Sequence, residues 1–283
     1  MTLANAPTKY LEAGGARIAY RQLGPADGTP LICLQHFTGT MDAWDPAVID
    51  ALARDRPVVV FNNKGVGTSG GETPDSVDQM SVDAASFISG LGFSRADLPG
   101  FSLGGMIAQL LAAEHPALVR KALLVGTAPQ GGEEHLMEVV RQARSHKEAP
   151  DPRLPLFFTP SAESQAAGLA FLKRAGARTA DRDPDNGDAV ARTSGQSPDR
   201  LVRRQGYGQC GLQRHPSADP GAERKQRHDA SPRQRLFHVQ ASPERATEGL
   251  SVLGCLVGLS PIRANFLRTA PAPFLLLQLL SCG

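Results

Sequence analysis

The pentapeptide Gly100-Phe101-Ser102-Leu103-Gly104 contains the residue types and spacing that point most directly to chemistry. It lies between an apolar run typical of a strand and an apolar run typical of a helix. In that setting G-x-S-x-G is typical of a nucleophile elbow, a tight turn that exposes a serine hydroxyl. Gly100 and Gly104 omit side chains that would collide across the turn, and the first amides of the helix would face an oxyanion formed at Ser102. The alternative is a glycine-rich turn that only happens to contain a serine.

Short apolar runs predict the strands that would position this turn. Their apolarity is continuous rather than alternating, which is typical of strands buried on both faces of a parallel sheet. The predicted strands are 17–21, 31–35, 57–61 and 122–125, and the predicted helices are 44–54, 76–91 and 103–115. The order of strands and helices predicts an α/β fold with a doubly wound, mostly parallel sheet. Ligands of such sheets bind beyond the carboxyl ends of the strands, where His36 and Ser102 lie.

The rest of the sequence predicts two further parts. Two helical stretches flank a proline-rich link at 150–155, which indicates a helical cap inserted above the sheet. Beyond Arg192 the periodicity is lost, and the pattern predicts no strand in the C-terminal third. The predicted division is an α/β core at 10–132, a cap at 133–192 with helices at 133–146 and 161–175, and an irregular tail at 193–283.

Charge and cysteine content favour no macromolecular partner and no metal. The net charge of +2 combines an acidic first two thirds with a basic, arginine-rich tail. The tail lacks the interleaved aromatic residues of many nucleic-acid-binding segments, so no nucleic-acid partner is expected. The four cysteines have no metal-ligand spacing. The N-terminus lacks a signal-peptide pattern, and the last apolar run is far shorter than the roughly 20 residues of a membrane helix. We expect a cytoplasmic protein with no membrane partner, no metal and no cofactor; the sequence does not indicate an oligomeric state.

Three motifs in order give the chain a family resemblance. His36-Phe37-Thr38-Gly39 follows one predicted strand, 63–69 (N-K-G-V-G-T-S) follows the next, and the serine turn comes third. Over residues 10–192 the chain resembles the α/β-hydrolase superfamily, in particular its haloperoxidase-like and small-ester hydrolase branch. The resemblance implies a small-molecule acyl substrate and a nucleophile at Ser102. It also implies an oxyanion hole made by the backbone amides of Leu103 and of Thr38 or Phe37. His36 is expected to hydrogen-bond its own turn rather than to act as the base.

The resemblance also implies an acid and a base that the sequence does not show. The order in this family is Ser, then Asp, then His. Asp219 and Asp229 lie in polar sequence without a predicted strand, and the last histidine is His238. Two interpretations remain open: a serine hydrolase acting through an acyl-enzyme, and a hydrolase scaffold whose activity is impaired or absent.

One hypothesis explains the missing residues as an out-of-frame tail. With ordinary synonymous codons, reading residues 212–228 one nucleotide later gives F-S-A-I-R-Q-P-T-L-V-L-N-G-S-N-D. That peptide contains a link, an apolar strand and a turn that ends in aspartate, as the resemblance requires. The aspartate codon would span Arg227 and His228.

The proline before the serine turn departs from a usual strand. Pro99 has no backbone amide to donate in a sheet, so we expect it to weaken the local pairing of the strand that carries Ser102.

Overall fold

One mixed sheet organises the computed structural model, which describes residues 1–129, 133–184, 235–237 and 277–281. Its strands are β1 Lys9–Ala13, β2 Ala16–Leu23, β3 Leu31–Cys33, β4 Val58–Phe61, β5 Ala96–Phe101, β6 Val119–Val125, β7 Arg235–Phe237 and β8 Leu277–Ser281. The α-helices are α1 Pro46–Leu52, α2 Val77–Gly90, α3 Leu103–Glu114, α4 Glu133–Ser145, α5 Arg153–Phe157 and α6 Ala162–Ala175, and a 3-10 turn covers Met41–Ala43.

The sheet order is β1-β2-β4-β3-β5-β6-β8-β7. Strands β4, β3, β5 and β6 are parallel, whereas β1, β2 and β8 each pair antiparallel with their neighbours. From β3 the chain crosses to β4 on one side, and it then returns past β3 to β5 and β6 on the other side. A helix lies in each of these three connections: α1 after β3, α2 after β4 and α3 after β5. This arrangement confirms the predicted doubly wound, mostly parallel α/β fold.

Side chains of the central strands alternate between two apolar layers. In β4, Val59 and Phe61 face the layer that contains α2 and α3. Val58 and Val60 face the opposite layer, which contains Ile49 of α1. Because both faces are covered, the strand is apolar at every position, and this explains why a continuous apolar run predicted it.

Helix starts follow local capping chemistry. The Ser76 side chain accepts a hydrogen bond from the Gln79 amide and starts α2. The Asp45 carboxylate accepts from the Ala47 amide and starts α1, with Pro46 at the first helical position. Each cap satisfies an amide that has no partner inside the helix. The predicted helices 76–91 and 103–115 agree with α2 and α3 within two residues.

Pro99 lies in the fourth position of β5, further inside the strand than its place in the sequence pattern suggests. The amides of Asp97 and Phe101 both donate toward β3, to the carbonyls of Pro30 and Leu34. Pro99 lies between these two donors and has none, so β3 and β5 pair only at Leu31–Asp97 and at the Leu34–Gly100 bridge. On its other side Pro99 pairs in register with β6.

Four elements were not predicted from the sequence. Helix α5 overlaps the end of the predicted proline-rich link at 150–155. The helix tolerates Pro155 because this residue occupies the first turn, where an amide has no intrahelical acceptor. Strand β1 buries only its last residue, so it lacks an apolar pattern. The tail, predicted to be without strands, contains β7 and β8, and β8 pairs with the edge of β6. The candidate acids Asp219 and Asp229 and the histidine His238 lie outside the described residues.

Candidate active site

Ser102 occupies a strained backbone conformation between β5 and α3. Its φ of 52° and ψ of −117° fall in a region that non-glycine residues rarely adopt. Such a conformation costs on the order of 1–3 kcal/mol and persists only where neighbours fix it. The Ser102 amide donates to the Val125 carbonyl at 2.9 Å. The Ser102 carbonyl accepts from the Thr127 hydroxyl at 2.6 Å and from the Gly105 amide at 2.9 Å.

Three glycines make room for this turn. A Cβ on Gly100 would lie 2.7 Å from the Gly105 Cα, and one on Gly105 would lie 2.5 Å from Thr127 Cγ2. A Cβ on Gly104 would collide with the backbone carbonyl of Leu34 at the end of β3. The G-x-S-x-G pattern therefore allows α3 to start directly against β3, with Ser102 at the carboxyl end of the sheet.

The turn after β3 lies beside the serine turn. Thr38 has a φ of 61°, in the left-handed region. The Gly39 amide donates to the His36 carbonyl at 3.0 Å, which closes the turn. Within the described chain, the backbone amides of Phe37, Thr38 and Leu103 have no hydrogen-bond acceptor. These are the three amides that the family resemblance implied for an oxyanion hole.

His36 is bonded to its own turn. Its Nδ1 is 2.8 Å from the Phe37 carbonyl, so Nδ1 carries the proton and donates. Burial lowers the pKa of His36; the Phe37 carbonyl opposes this shift and the charge of Arg153 adds to it. The imidazole is therefore neutral at neutral pH. Its ring also packs edge-on against Phe101, with centroids 5.6 Å apart.

An aromatic cluster surrounds the residue that precedes Ser102. The Phe101 ring contacts Trp44, which precedes α1, at a centroid distance of 6.4 Å, and Phe157 of α5 at 5.5 Å. With His36 these rings come from four separate segments. No local pattern in the sequence marks Trp44 or Phe157 as site residues, because each is brought to Phe101 only by the tertiary fold.

Helices α4–α6, named here the insertion, are attached to the core by an ion pair and an aromatic contact. The Arg174 guanidinium donates two hydrogen bonds to the Asp45 carboxylate, at 2.9 and 2.7 Å. This bidentate pair and the Phe157–Phe101 contact attach the insertion beside the carboxyl end of the sheet.

Buried hydrogen bonds and ion pairs attach residues 178–183, which follow the insertion in the chain, to the sheet. Arg21 of β2 is completely buried and donates to Asp42 at 2.6 Å and to the Asp181 carbonyl at 3.1 Å. The Asp183 carboxylate accepts from Asn62 at 2.8 Å, and its amide donates to Asp42. No local sequence signal marks these residues, since the partners are far apart in the chain.

The Ser102 hydroxyl has no hydrogen-bond partner in the part of the chain that the structure describes. Ser102, Leu103, Gly100 and Gly104 lie together at the elbow, and the turn with Phe37 and Thr38 is adjacent. None of the histidine or carboxylate side chains that the structure describes makes a hydrogen bond to the Ser102 hydroxyl.

In the described segments, no helix is long and apolar enough to cross a membrane.

Comparison with known proteins identifies the fold family. A family model described as alpha/beta hydrolase fold matches residues 29–181. A solved structure, an alpha/beta hydrolase fold protein from Chitinophaga pinensis, is 44% identical with a TM-score of 0.60, and the match covers 65% of this chain and 67% of that chain.

Two curated relatives match a shorter part of the chain. A Rhizobium rhizogenes protein that carries the name carbamate hydrolase RutD is 30% identical over 48% of this chain and 53% of its own length. A non-heme chloroperoxidase from Streptomyces lividans is 30% identical over 41% of this chain and 42% of its own length. The chain thus spans about half or less of these relatives' lengths. Because the family model matches more than half of the sequence, the chain belongs to the alpha/beta hydrolase fold family.

Proposed function

We propose that the protein is a serine hydrolase that cleaves esters or related small acyl compounds through an acyl-enzyme at Ser102. Membership of the family, with hydrolases among the relatives, supports hydrolysis in general. The observation that carries the specific proposal is the strained backbone of Ser102, held at the head of α3 beside three amides without acceptors in the described chain. Strain of this kind is concentrated at functional sites.

The proposed reaction begins with attack of Ser102 Oγ on the acyl carbonyl carbon. As the Oγ–C bond forms, the carbonyl π electrons move to oxygen, and the amides of Leu103 and of Thr38 or Phe37 donate to the resulting oxyanion. One such donor typically contributes about 3 kcal/mol to transition-state stabilisation. On collapse the base returns the Ser102 proton to the departing alcohol or amine, and water then attacks the acyl carbon, which releases the acid and regenerates the Ser102 hydroxyl. The proton of Ser102 needs a base, which the family order places after Ser102 together with its orienting acid; under the out-of-frame hypothesis both would belong to the adjacent reading frame of the tail.

The insertion is proposed to select the substrate. Its helix α5 places Phe157 against Phe101, the residue before the nucleophile. The proposed domains of the chain are a core at 10–132, a cap at 133–192 and an atypical tail at 193–283. A small-molecule substrate and a cytoplasmic location are part of the same proposal.

A second candidate is a hydrolase scaffold with impaired or no catalysis. It is favoured by the Ser102 hydroxyl, which makes no hydrogen bond to any described residue. A serine without a base is a weak nucleophile, and loss of triad members lowers rates by several orders of magnitude.

A fluorophosphonate probe separates the two candidates. We expect the probe to label wild-type protein stoichiometrically, as measured by intact mass, and to give no adduct on Ser102→Ala. Ser89→Ala, which removes an exposed hydroxyl from α2, should label like wild type. A protein that unfolds cooperatively but stays unlabelled would support the impaired scaffold and exclude the activated serine.

The coding DNA tests the out-of-frame tail. We expect the frame one nucleotide later to be open across the codons for residues 212–228 and to contain an aspartate codon that spans Arg227 and His228. Sequencing the gene gives the answer. Stop codons in that frame, or a translation without an apolar strand before the aspartate, would contradict the hypothesis.

A further inference from the structure

We propose that Trp44, Phe101 and Phe157 form a binding subsite for a neutral aromatic group that carries a hydrogen-bond acceptor, with the Trp44 indole N–H as the donor. The proposal rests on the proposed function, because the ligand is the substrate whose acyl carbon reaches Ser102. It goes beyond that function by naming the side chains that select the substrate and the chemistry they select.

Trp44 and Phe157 both pack against the Phe101 ring, and all three residues are partly exposed. Phe101 is the direct neighbour of Ser102, and Trp44 and Phe157 both lie within 6.4 Å of its ring centroid. All three side chains keep an intermediate exposure, whereas the core ring of Phe87 is buried at 1%. Partly exposed aromatic surface beside a nucleophile is available to a ligand ring, which pairs well at centroid distances of about 4.5–7 Å.

The indole N–H of Trp44 supplies the polar anchor. Nε1 is buried and has no hydrogen-bond partner among the residues that the structure describes. An unpaired buried donor costs about 1–3 kcal/mol, and most buried polar groups in native proteins have a partner. A substrate oxygen that accepts from Nε1 would recover this cost. The unpaired indole N–H therefore favours a ligand that has a hydrogen-bond acceptor over a hydrocarbon of the same shape.

The charges around the cluster favour a neutral ligand. The Arg153 guanidinium is paired with Asp151 at 2.9 and 2.7 Å, and the Asp45 carboxylate next to Trp44 is paired with Arg174. His36 has a lowered pKa and is uncharged at neutral pH. No described charged group beside the rings is left for a charged substrate to pair with. An aromatic ketone, ester or amide fits this environment.

The indole N–H can be observed directly, because Trp44 is the only tryptophan of the chain. The full-length protein labelled with ¹⁵N has a single indole cross-peak. Acetophenone carries a ring and an acceptor but no leaving group, so we expect it to move this cross-peak downfield in a saturable titration. Ethylbenzene has the ring without the acceptor and should leave the proton shift nearly unchanged at equal concentration.

Variants test which side chains form the subsite. Phe157→Ala should raise the acetophenone Kd at least about fivefold, because one aromatic contact is lost. Leu169→Ala removes an exposed apolar side chain of α6 and is the matched control, with an unchanged Kd. In Ser102→Ala the titration should persist, since the subsite does not depend on the reactivity of the serine.

The outcomes distinguish the subsite from the proposed reaction. A saturable shift in a protein that fluorophosphonate does not label supports the subsite and removes the catalytic proposal. Labelling without any acetophenone shift overturns the subsite and leaves the reaction intact. Equal shifts with acetophenone and ethylbenzene overturn the role of Trp44 as the donor.

Discussion

Gly104→Ala is expected to destabilise the protein by more than about 3 kcal/mol, although alanine is the better helix former. Gly104 is the second residue of α3, where helix propensity alone would make alanine more stable by about 1 kcal/mol. The added Cβ would instead overlap the Leu34 carbonyl and lie 2.9 Å from the Gln35 carbonyl. Both atoms belong to the backbone, so neither can rotate away.

Relief of this overlap would disturb the serine turn itself. The Leu34 carbonyl accepts the Phe101 amide at 2.9 Å, so moving β3 away from α3 breaks the bond that aligns the residue before Ser102. The packing cost outweighs the gain in propensity, and the variant should lose fluorophosphonate labelling together with stability. Because total stabilities are about 5–15 kcal/mol, a loss of this size leaves a marginal protein.

Urea unfolding followed by the fluorescence of Trp44 measures the effect. Gly70→Ala is the matched control: Gly70 has a negative φ, and its new Cβ would have no neighbour closer than 3.7 Å. We expect Gly70→Ala to unfold within about 0.5 kcal/mol of wild type. If Gly104→Ala were as stable as this control, the close packing of α3 against β3 would be wrong.

The predictable part of the fold is the part with strong local patterns. Strand β4 and helix α2 were predicted within two residues, because both faces of β4 are apolar and Ser76 caps α2. Strand β1 was not predicted, since four of its five residues are at least partly exposed and its position depends on pairing with β2. Local patterns cannot report a strand that is stabilised by its neighbours.

The same distinction applies to the site. The turn around Ser102 is marked by a short local pattern of glycines, although only Gly100 clears atoms within that pattern and Gly104 clears the distant Leu34 carbonyl. Phe157 is brought to Phe101 across the insertion, and Asp183 is brought to Asn62 over 121 positions. Local patterns in a single sequence carry no record of such distant pairs. The single tryptophan was visible in the composition, but only the fold places it against Phe101, the residue before Ser102.

Arg21→Met is expected to cost about 3–5 kcal/mol, because it leaves buried carboxylates without their principal cation. Arg21 has no exposed surface and donates to Thr8, to the Asp42 carboxylate and to the Asp181 carbonyl. Methionine fills a similar volume, so the loss reflects charge and hydrogen bonds more than a cavity. Arg178 Nε, 4.0 Å from Asp42, is too far away to replace the lost donor.

A double-mutant cycle identifies the cause of that loss. Asp42→Asn in the Arg21→Met background removes the uncompensated charge and should recover at least about 1 kcal/mol of the free energy of unfolding, although Asp42→Asn alone is destabilising. Arg54→Met, at an exposed position after α1, is the control and should stay within about 0.5 kcal/mol of wild type. Additive effects in the cycle would mean that Arg21 and Asp42 are not coupled. A coupled pair would show that β2 is joined to the 3-10 turn through this buried ion pair, in which Arg21 also donates to the Asp181 carbonyl of the segment that follows the insertion.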